Sequence, residues 1–311
     1  MVLLSIIICT YNREELLKNC LDALFVQVPP FAETTEVIVI DNNCIDGTAA
    51  MVEKYRASYP WLKYVKEEKQ GLSNARNCGA RVAQGEYLCY LDDDGKPSEN
   101  YLRWVYHVIK KHRPDIAGGP IYPYYTTPKP GWFKDEFEIR KHSPVSGFST
   151  KCSISGGNFI IRAALLAGLG MFSPEFGMVG NKTRLGDEKA IVINYRSTRL
   201  PEEQRIYYAQ DCFIYHHVPP CKMKVSYFIK RGFFSGISLV QIKKKTMDSV
   251  PNFAGELYRA IFLDLIPMLV TGRRRRENDH PVLALQRIAL ISGKLFQVAR
   301  SEIINRHGKK K

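Results

Sequence analysis

Over the first 112 residues, short apolar runs alternate with segments of helical periodicity, and this alternation constrains the fold more than any other feature. The apolar runs cover residues 3–9, 36–41, 63–67 and 86–91, and the helical segments cover 13–27, 47–59, 72–83 and 99–112. Apolar runs that are mostly β-branched and rarely broken by polar residues are typical of strands buried on both faces. Their alternation with helices predicts an α/β fold with a mostly parallel central sheet and helices on both faces.

The remaining chain gives a coarser prediction. Asp46 and Ser98 are the predicted N-caps of the second and fourth helices. Residues 117–150 are rich in Pro, Gly and Tyr and predict a loop. A glycine turn, a strand and a helix are predicted over 155–170, a polar and then helical segment over 181–196, and a last short strand within 212–220.

Composition is ordinary for a folded protein, with 45% apolar and 24% charged residues in a chain of 311. The eight cysteines are scattered and form no C-x-x-C pair, which favours a reducing compartment over a disulfide framework or a zinc site. The first apolar run lacks a preceding basic residue and a cleavage pattern, so it predicts a buried strand rather than a signal peptide.

The positive charge is concentrated near the C-terminus. Residues 222–311 hold 19 Lys+Arg and 6 Asp+Glu, whereas residues 1–221 hold 26 and 25. We therefore predict a main domain over 1–221 and a basic, amphipathic helical extension over 222–311. Apolar helical segments at 256–276 and 281–303, beside basic clusters, favour helices lying on an anionic membrane surface through 256–311. The alternative is two amphipathic helices that pack on the main domain.

Three polar clusters follow predicted strands: Thr10 to Arg13, Asp41 to Asn43, and Asp92 to Asp94. Ligands of parallel sheets bind at the carboxyl ends of strands, so the clusters predict one site. Three adjacent carboxylates repel one another unless a cation offsets their charge. Mn²⁺ or Mg²⁺ prefers such oxygen ligands, although a solvated turn is the alternative.

The other polar residues suit a nucleotide diphosphate. Asp41 could accept a hydrogen bond from a base or ribose, Arg13 and Arg76 could meet phosphate, and Tyr11 offers a ring for stacking. The glycine fingerprints G-x-G-x-x-G after the first strand and G-x-x-x-x-G-K-[ST] do not occur. This argues against a dinucleotide oxidoreductase and a P-loop NTPase.

Over roughly residues 3–220 the sequence resembles the family 2 inverting nucleotide-sugar glycosyltransferases of the GT-A fold. The resemblance is carried, in order, by "SIIICTYNRE", "VIVIDNNCIDGT", "QGLSNARNCGA", "YLDDDGKP", "SGGNF" and "LGDE". Each segment is weak alone, but their order and spacing are specific.

The resemblance implies roles for individual positions. It implies a nucleotide pocket lined by Thr10, Tyr11, Arg13, Asp41 and Arg76, with Asp92 or Asp93 on the ribose. It implies a donor and acceptor loop made by Gly156, Gly157 and Asn158. It implies a metal site made by Asp94, with Asp92 and either His216 or His217 as further ligands.

The general base of the family lies in a Glu-Asp motif at a helix start. This chain has Gly186-Asp187-Glu188 instead, so the second position makes Glu188 the expected base, with Asp187 as the alternative.

The resemblance implies a metal-dependent, inverting transferase that uses a nucleotide-diphosphate sugar, with a UDP-sugar favoured. The acceptor would be a glycan or a lipid-linked glycan in polysaccharide or cell-envelope synthesis. The expected location is cytoplasmic, peripheral on the cytoplasmic face of a membrane, with no nucleic acid as partner. Two alternatives are a nucleic-acid-binding protein that uses the basic extension, and an inactive relative that binds nucleotide sugars.

Overall fold

The computed structural model describes residues 1–180, 184–247, 255 and 281–308. These residues fall into two compact units. The first comprises Met1–Lys182 and Asp187–Val218, and the second comprises Thr183–Gly186 and Pro219–Lys311.

The first unit is built on a large sheet and a small one. The strands along the chain are β1 (Leu4–Thr10), β2 (Thr35–Asp41), β3 (Leu62–Lys66), β4 (Tyr87–Asp92), β5 (Gly95–Pro97), β6 (Ile116–Gly118), β7 (Ile121–Tyr124), β8 (Gly147–Phe148), β9 (Asn158–Arg162), β10 (Ile206–Tyr208) and β11 (Ile214–His217). The eight-stranded sheet has the order β3-β2-β1-β4-β9-β6-β10-β8, and the three-stranded sheet has the order β5-β11-β7. In the large sheet only β8 and β9 run antiparallel to their neighbours, which confirms the mostly parallel sheet.

Helices cover both faces of the large sheet. The described helices are α1 (Glu14–Phe25), α2 (Thr48–Ser58), α3 (Leu72–Val82), α4 (Tyr101–His112), α5 (Ala163–Gly168), α6 (Asp187–Ser197), α7 (Val225–Met247) and α8 (Pro281–Gly308). Along β1, Ile6 and Ile8 belong to the buried cluster that includes Leu21 of α1. Ile7, which points to the other face, belongs to a second cluster with Ile191 of α6. The predicted two-sided α/β layering is therefore confirmed.

Two predicted helix caps are wrong in position. α2 begins at Thr48, and Asp46 accepts hydrogen bonds from the Thr48 N–H at 3.2 Å and the Thr48 hydroxyl at 2.6 Å. It therefore lies one residue before the N-cap. α4 begins at Tyr101, and Ser98 contributes its backbone carbonyl, which accepts the Tyr101 N–H at 2.9 Å.

The predicted loop over 117–150 is also partly wrong, because β6, β7 and β8 lie at or within it. These strands have three, four and two residues and pair with β9, β10 or β11. Such short strands leave no periodic signal, and their partners are distant in sequence.

In the second unit, α7 and α8 pack with their backbones in contact. A Cβ at Gly236 would overlap the carbonyl oxygen of Leu290, and one at Gly293 would overlap that of Phe233. Gly232, one turn before Gly236, meets α8 in the same way. Glycine is thus required at these positions for the helices to approach this closely.

The predicted helix over 281–303 is confirmed by α8, whereas the prediction over 256–276 lies outside the described residues. Among the helices that the structure describes, α8 has one stretch, Pro281–Ser301, that is long and apolar enough to cross a membrane by length and composition.

Candidate functional site

The three predicted polar clusters meet at one edge of the large sheet. β1 lies between β2 and β4, and in register Thr10 pairs with Asp41 and Cys9 pairs with Asp92. The polar residues that follow these strands therefore surround the carboxyl ends of three adjacent strands, as the parallel sheet requires.

Two arginines offset the charge of the acidic trio. Arg13 donates from Nη1 to Asp93 Oδ1 at 2.9 Å and to Asp94 Oδ2 at 3.3 Å. Arg76 donates from Nη2 to Asp92 Oδ1 at 3.3 Å. Each of the three carboxylates thus has a guanidinium partner, which makes three adjacent charges tolerable.

Asp92, Asp94 and His216 form the candidate metal centre. One ligand atom from each residue lies within 4.8 Å of the others. His216 Nε2 lies 3.2 Å from Asp94 Oδ1 and 3.9 Å from Asp92 Oδ2. A Cβ at Gly157 would overlap Asp92 Oδ2, so glycine leaves room for this carboxylate. Two carboxylates and an imidazole fit a divalent cation such as Mn²⁺ or Mg²⁺.

The small sheet determines which histidine joins this cluster. β5 directly follows the acidic trio, and His216 of β11 pairs with Gly95 of β5. His217 lies outside the cluster: its Nε2 is 2.9 Å from the Thr126 hydroxyl, and its backbone N–H donates to the Asp94 carbonyl at 2.9 Å.

Asp93 occupies a different environment from the metal cluster. Its side chain is buried and faces Arg13. Burial raises the pKa of Asp93 to about 6, with Asp94 adding to the rise and Arg13 opposing it. Asp93 is therefore the member of the acidic trio that pairs with Arg13 and lies outside the Asp92, Asp94 and His216 cluster.

On the other side of β1, Asp41 is held by two protein donors. The Cys44 N–H donates to Asp41 Oδ1 at 2.7 Å, and the Tyr64 hydroxyl donates to Asp41 Oδ2. Thr10 and Asp41 are buried, whereas Tyr11 is 39% exposed. Sequence reasoning missed Tyr64. In register Tyr64 pairs with Val39, two residues before Asp41 and on the same face of the sheet, so its long side chain can reach Asp41 diagonally. The period of two along a strand was the signal, but it needs the pairing of β3 with β2 to be known.

Arg76 links the metal centre to α6. Its guanidinium lies between the rings of Phe172 and Tyr90, with centroid distances of 5.5 and 5.9 Å. It donates to Asp187 Oδ2 at 2.6 Å and to the Gly156 carbonyl at 3.1 Å, in addition to Asp92. Arg76 was expected to meet phosphate, but in the structure its donors are directed at these protein acceptors.

The two acids at the start of α6 differ in their surroundings. Asp187 is only 3% exposed and forms the ion pair with Arg76. Glu188 is half-buried, and burial together with the Asp187 carboxylate raises its pKa to about 7, against the opposing effect of Arg76. A Cβ at Gly156 would lie 3.2 Å from Glu188 Cδ, so the glycine backbone is close to this carboxyl group.

The residues that follow β1, β2 and β4 lie within the match to a known family model. Residues 5–170, more than half of the chain, match the model described as glycosyl transferase family 2. The chain belongs to glycosyl transferase family 2. The match covers every strand-end cluster except the β11 histidines and the acids of α6.

Relatives of known name are also glycosyltransferases. The cholesterol galactosyltransferase of Borreliella burgdorferi is 34% identical over 122 residues, which are 39% of this chain and 33% of the relative. The alignments cover 17% of the glycosyltransferase GlyA of Streptococcus pneumoniae and 55% of the glycosyltransferase AglE of Haloferax volcanii. This chain therefore matches only part of the length of these relatives.

Two solved structures share the fold. S. aureus TarS 1–349 in complex with UDP has a TM-score of 0.56 at 17% identity, covering 97% of this chain and 91% of that chain. The mannosyltransferase PcManGT of Pyrobaculum calidifontis, in complex with GDP-Man and Mn²⁺, has a TM-score of 0.57 at 18% identity, covering 96% and 86%. At these identities the likeness establishes the GT-A-like fold alone.

The side chain of Asn158 forms its hydrogen bonds with other residues of the protein. It is fully buried at the start of β9, where Oδ1 accepts the Tyr101 hydroxyl at 2.8 Å. Nδ2 donates to the Cys212 carbonyl at 2.7 Å. Gly156 and Gly157 approach the acidic groups through their backbone, whereas the Asn158 side chain ties β9 to its neighbours.

Proposed function

We propose that this chain is a metal-dependent, inverting glycosyltransferase that moves a sugar from a nucleotide-diphosphate sugar to a glycan or lipid-linked acceptor. The single observation that carries the proposal is that Arg76 joins the Asp92, Asp94 and His216 cluster to the acid pair Asp187 and Glu188 at the start of α6. Such a transfer needs two parts. One is a cation site that binds the diphosphate, and the other is a carboxyl group of raised pKa that can act as the general base.

The donor class follows from the site and from the fold neighbours. TarS was solved with UDP and PcManGT with GDP-Man and Mn²⁺, which supports a nucleotide-diphosphate donor for this chain. We favour a UDP-sugar because TarS was solved with UDP and with UDP-GlcNAc. Asp41 could accept a hydrogen bond from the imide N–H of uracil in addition to those from its two protein donors. Tyr64 would then fix the orientation of the Asp41 carboxylate, and Tyr11 would offer an exposed ring face to the base.

The residues that would hold the cation are Asp92, Asp94 and His216, and its chemistry would be to neutralise charge on the departing diphosphate. Arg13 holds Asp93 and Asp94 in place, and Arg76 holds Asp92. These ion pairs preorganise the acidic trio before substrate arrives, which lowers the cost of binding.

Glu188 is our candidate for the general base. Asp187 is buried and ion-paired with Arg76, so it is a poor acceptor for a substrate proton. Glu188 is more exposed, and its pKa of about 7 suits proton abstraction from a hydroxyl near neutral pH. Arg76 would thereby fix Asp187 as the neighbour that tunes Glu188.

For the whole chain we propose a catalytic domain over 1–221 and a basic extension over 222–311, at the cytoplasmic face of a membrane. The name of the B. burgdorferi relative includes cholesterol, a membrane lipid, which supports a lipid or lipid-linked acceptor here. The excess of 19 Lys+Arg over 6 Asp+Glu in 222–311 supports an anionic surface as partner. Synthesis of a polysaccharide or cell-envelope glycan would use such an arrangement.

The direct test is nucleotide release from a panel of UDP- and GDP-sugars, each offered with a panel of glycan and lipid-linked acceptors, with Mn²⁺, Mg²⁺ or EDTA. We expect turnover only with a metal, and a loss of about a hundredfold or more in Asp94→Asn. Glu202→Gln, an exposed acid in a surface turn, is the matched control and should retain activity. Tight nucleotide binding without turnover over the panel would instead identify an inactive binding protein.

A further inference from the structure

Although α7 and α8 pack against each other, several of their large apolar side chains remain exposed to solvent. Gly232, Gly236 and Gly293 bring the two backbones into contact, as described above. Small residues at a helix interface let two backbones approach closely, so the large side chains of this pair lie beside or outside the contact. The outward faces of the pair therefore determine what it can bind.

One side of α8 carries three exposed apolar residues, which we call the α8 stripe: Leu285, Ile288 and Phe296. They are 42%, 41% and 51% exposed. Their spacing of three and eight residues keeps them on one side of the helix. Val225 and Ile229 of α7, one turn apart, are 37% and 41% exposed. Scattered apolar residues on a surface are ordinary, but here three lie on one side of one helix, interrupted only by the small Ser292, and such a stripe marks a contact surface.

The charge of the two helices is almost entirely positive. Residues 225–247 and 281–308 contain one acid, Glu302, and nine basic residues: Lys230, Arg231, Lys243, Lys244, Lys245, Arg287, Lys294, Arg300 and Arg306. Arg287 and Arg300 are exposed on α8 itself. A surface that combines an apolar stripe with a large excess of positive charge is complementary to anionic lipid headgroups over acyl chains.

We propose that the α7–α8 pair docks on an anionic phospholipid bilayer, with the α8 stripe inserted at the interface and α8 lying in its plane. Although α8 is long enough to span a bilayer, Arg287 and Lys294 lie well inside its apolar stretch. Charges at the centre of a spanning helix are costly, whereas at the interface they contact headgroups. The proposal needs neither donor nor metal, so its failure would leave the transferase proposal standing.

The test is flotation of the full chain with two kinds of vesicle, pure phosphatidylcholine and equimolar phosphatidylcholine and phosphatidylglycerol. We expect the wild type to float only with the anionic vesicles. The double variant Ile288→Glu/Phe296→Glu should bind them about tenfold more weakly or worse. It removes two apolar side chains that would insert into the bilayer, and it adds two negative charges that the anionic headgroups repel. Both positions are exposed, so thermal melting should be unchanged.

Leu200→Glu is the matched control, since Leu200 is 59% exposed and apolar but lies in a surface turn of the first unit. This variant should float like the wild type. The proposal fails if the double variant floats as well as the wild type, or if the wild type ignores anionic vesicles. Equal binding to both vesicle types would equally overturn the choice of an anionic surface.

Two further measurements distinguish this proposal from a membrane-spanning α8 and from a dimer formed through the α8 stripe. Alkaline carbonate should release the bound protein, and retention in the vesicle fraction would mean that α8 spans the bilayer instead. By size-exclusion chromatography without vesicles, the wild type and the double variant should have the same mass. A wild-type dimer that the double variant dissociates would make the α8 stripe a self-association surface and overturn the proposal.

Discussion

Asp187 and Glu188 are neighbours in sequence but have different chemical surroundings. Arg76 lies 2.6 Å from Asp187 and neutralises it, while Glu188 keeps a raised pKa of about 7 beside that carboxylate. If Glu188 is the base, its protonated form is inactive, so kcat/KM should fall as pH drops below about 7. Such a fall on the acidic side of the pH profile, the acid limb, is expected when a carboxyl group must be ionised to act as the base.

Substitutions at the two positions should therefore have different effects on the pH profile. Glu188→Gln should lower kcat by about 10²- to 10⁴-fold at every pH, because the base is lost. Asp187→Asn removes the negative charge that raises the pKa of Glu188, so the acid limb should move to lower pH. Steady-state kinetics between about pH 5 and 9 would measure both effects. Substantial activity in Glu188→Gln, with an unchanged profile, would assign the base elsewhere.

His216 and His217 offer a second residue-level comparison. His216 Nε2 faces Asp92 and Asp94, whereas His217 Nε2 faces the Thr126 hydroxyl. His216→Ala should weaken Mn²⁺ binding by about tenfold or more, since loss of even an outer-shell partner often costs that much. His217→Ala serves as the matched control and should bind Mn²⁺ like the wild type in a calorimetric titration. Equal weakening in both variants would mean that the arrangement of β11 differs from that described.

The sequence could predict that a histidine of this pair joins the site, but not which one. Adjacent residues of a strand face opposite sides, so the choice depends on the register of β11 with β5 and β7. No local pattern reveals that register. The same reason explains Tyr64 and Arg76, whose partners lie 23 and 111 residues away. Asp41 and the acidic trio were predictable because each follows a strand with a strong local pattern.

At the scale of elements, the α/β order was predictable because buried strands and amphipathic helices differ in period. The short strands β7 and β8 were not, since they exist only through pairing with distant strands. The site depends on one of them indirectly. β7 pairs with β11, and β11 carries His216 opposite Gly95, so a segment expected to be loop supports the candidate metal centre.

Asn158 connects secondary-structure elements, so its substitution should lower the stability of the fold and not only the activity. Its side chain connects β9 to Tyr101 of α4 and to the backbone of Cys212. Asn158→Ala leaves both buried partners short of a hydrogen bond, which should lower the free energy of unfolding by about 2–4 kcal/mol. Asn19→Ala, which removes one exposed hydrogen bond within α1, should change it by less than about 0.5 kcal/mol. Urea denaturation would measure both, and similar values for the two variants would contradict this role.

At the scale of the whole molecule, the two units differ in charge and in ligands. Every predicted site residue lies in the first unit, and the basic excess lies in residues 222–311. UDP with Mn²⁺ should therefore stabilise the first unit against unfolding, because both bind the native site and not the unfolded chain. UDP alone should do so much less, since the acidic trio repels a diphosphate unless a cation is present.

The expected size follows from linkage. A ligand at about 100 times its Kd adds about 2.7 kcal/mol, which for a domain of 150–250 residues raises Tm by roughly 5–10 °C at about 2–4 °C per kcal/mol. Scanning calorimetry of the full chain should show this rise with UDP and Mn²⁺ together. Asp94→Asn should abolish the rise, whereas Ile288→Glu/Phe296→Glu should preserve it, because the α8 stripe contributes no site residue. A rise that survives in Asp94→Asn would show that the nucleotide binds without the acidic cluster, and the metal assignment would then be wrong.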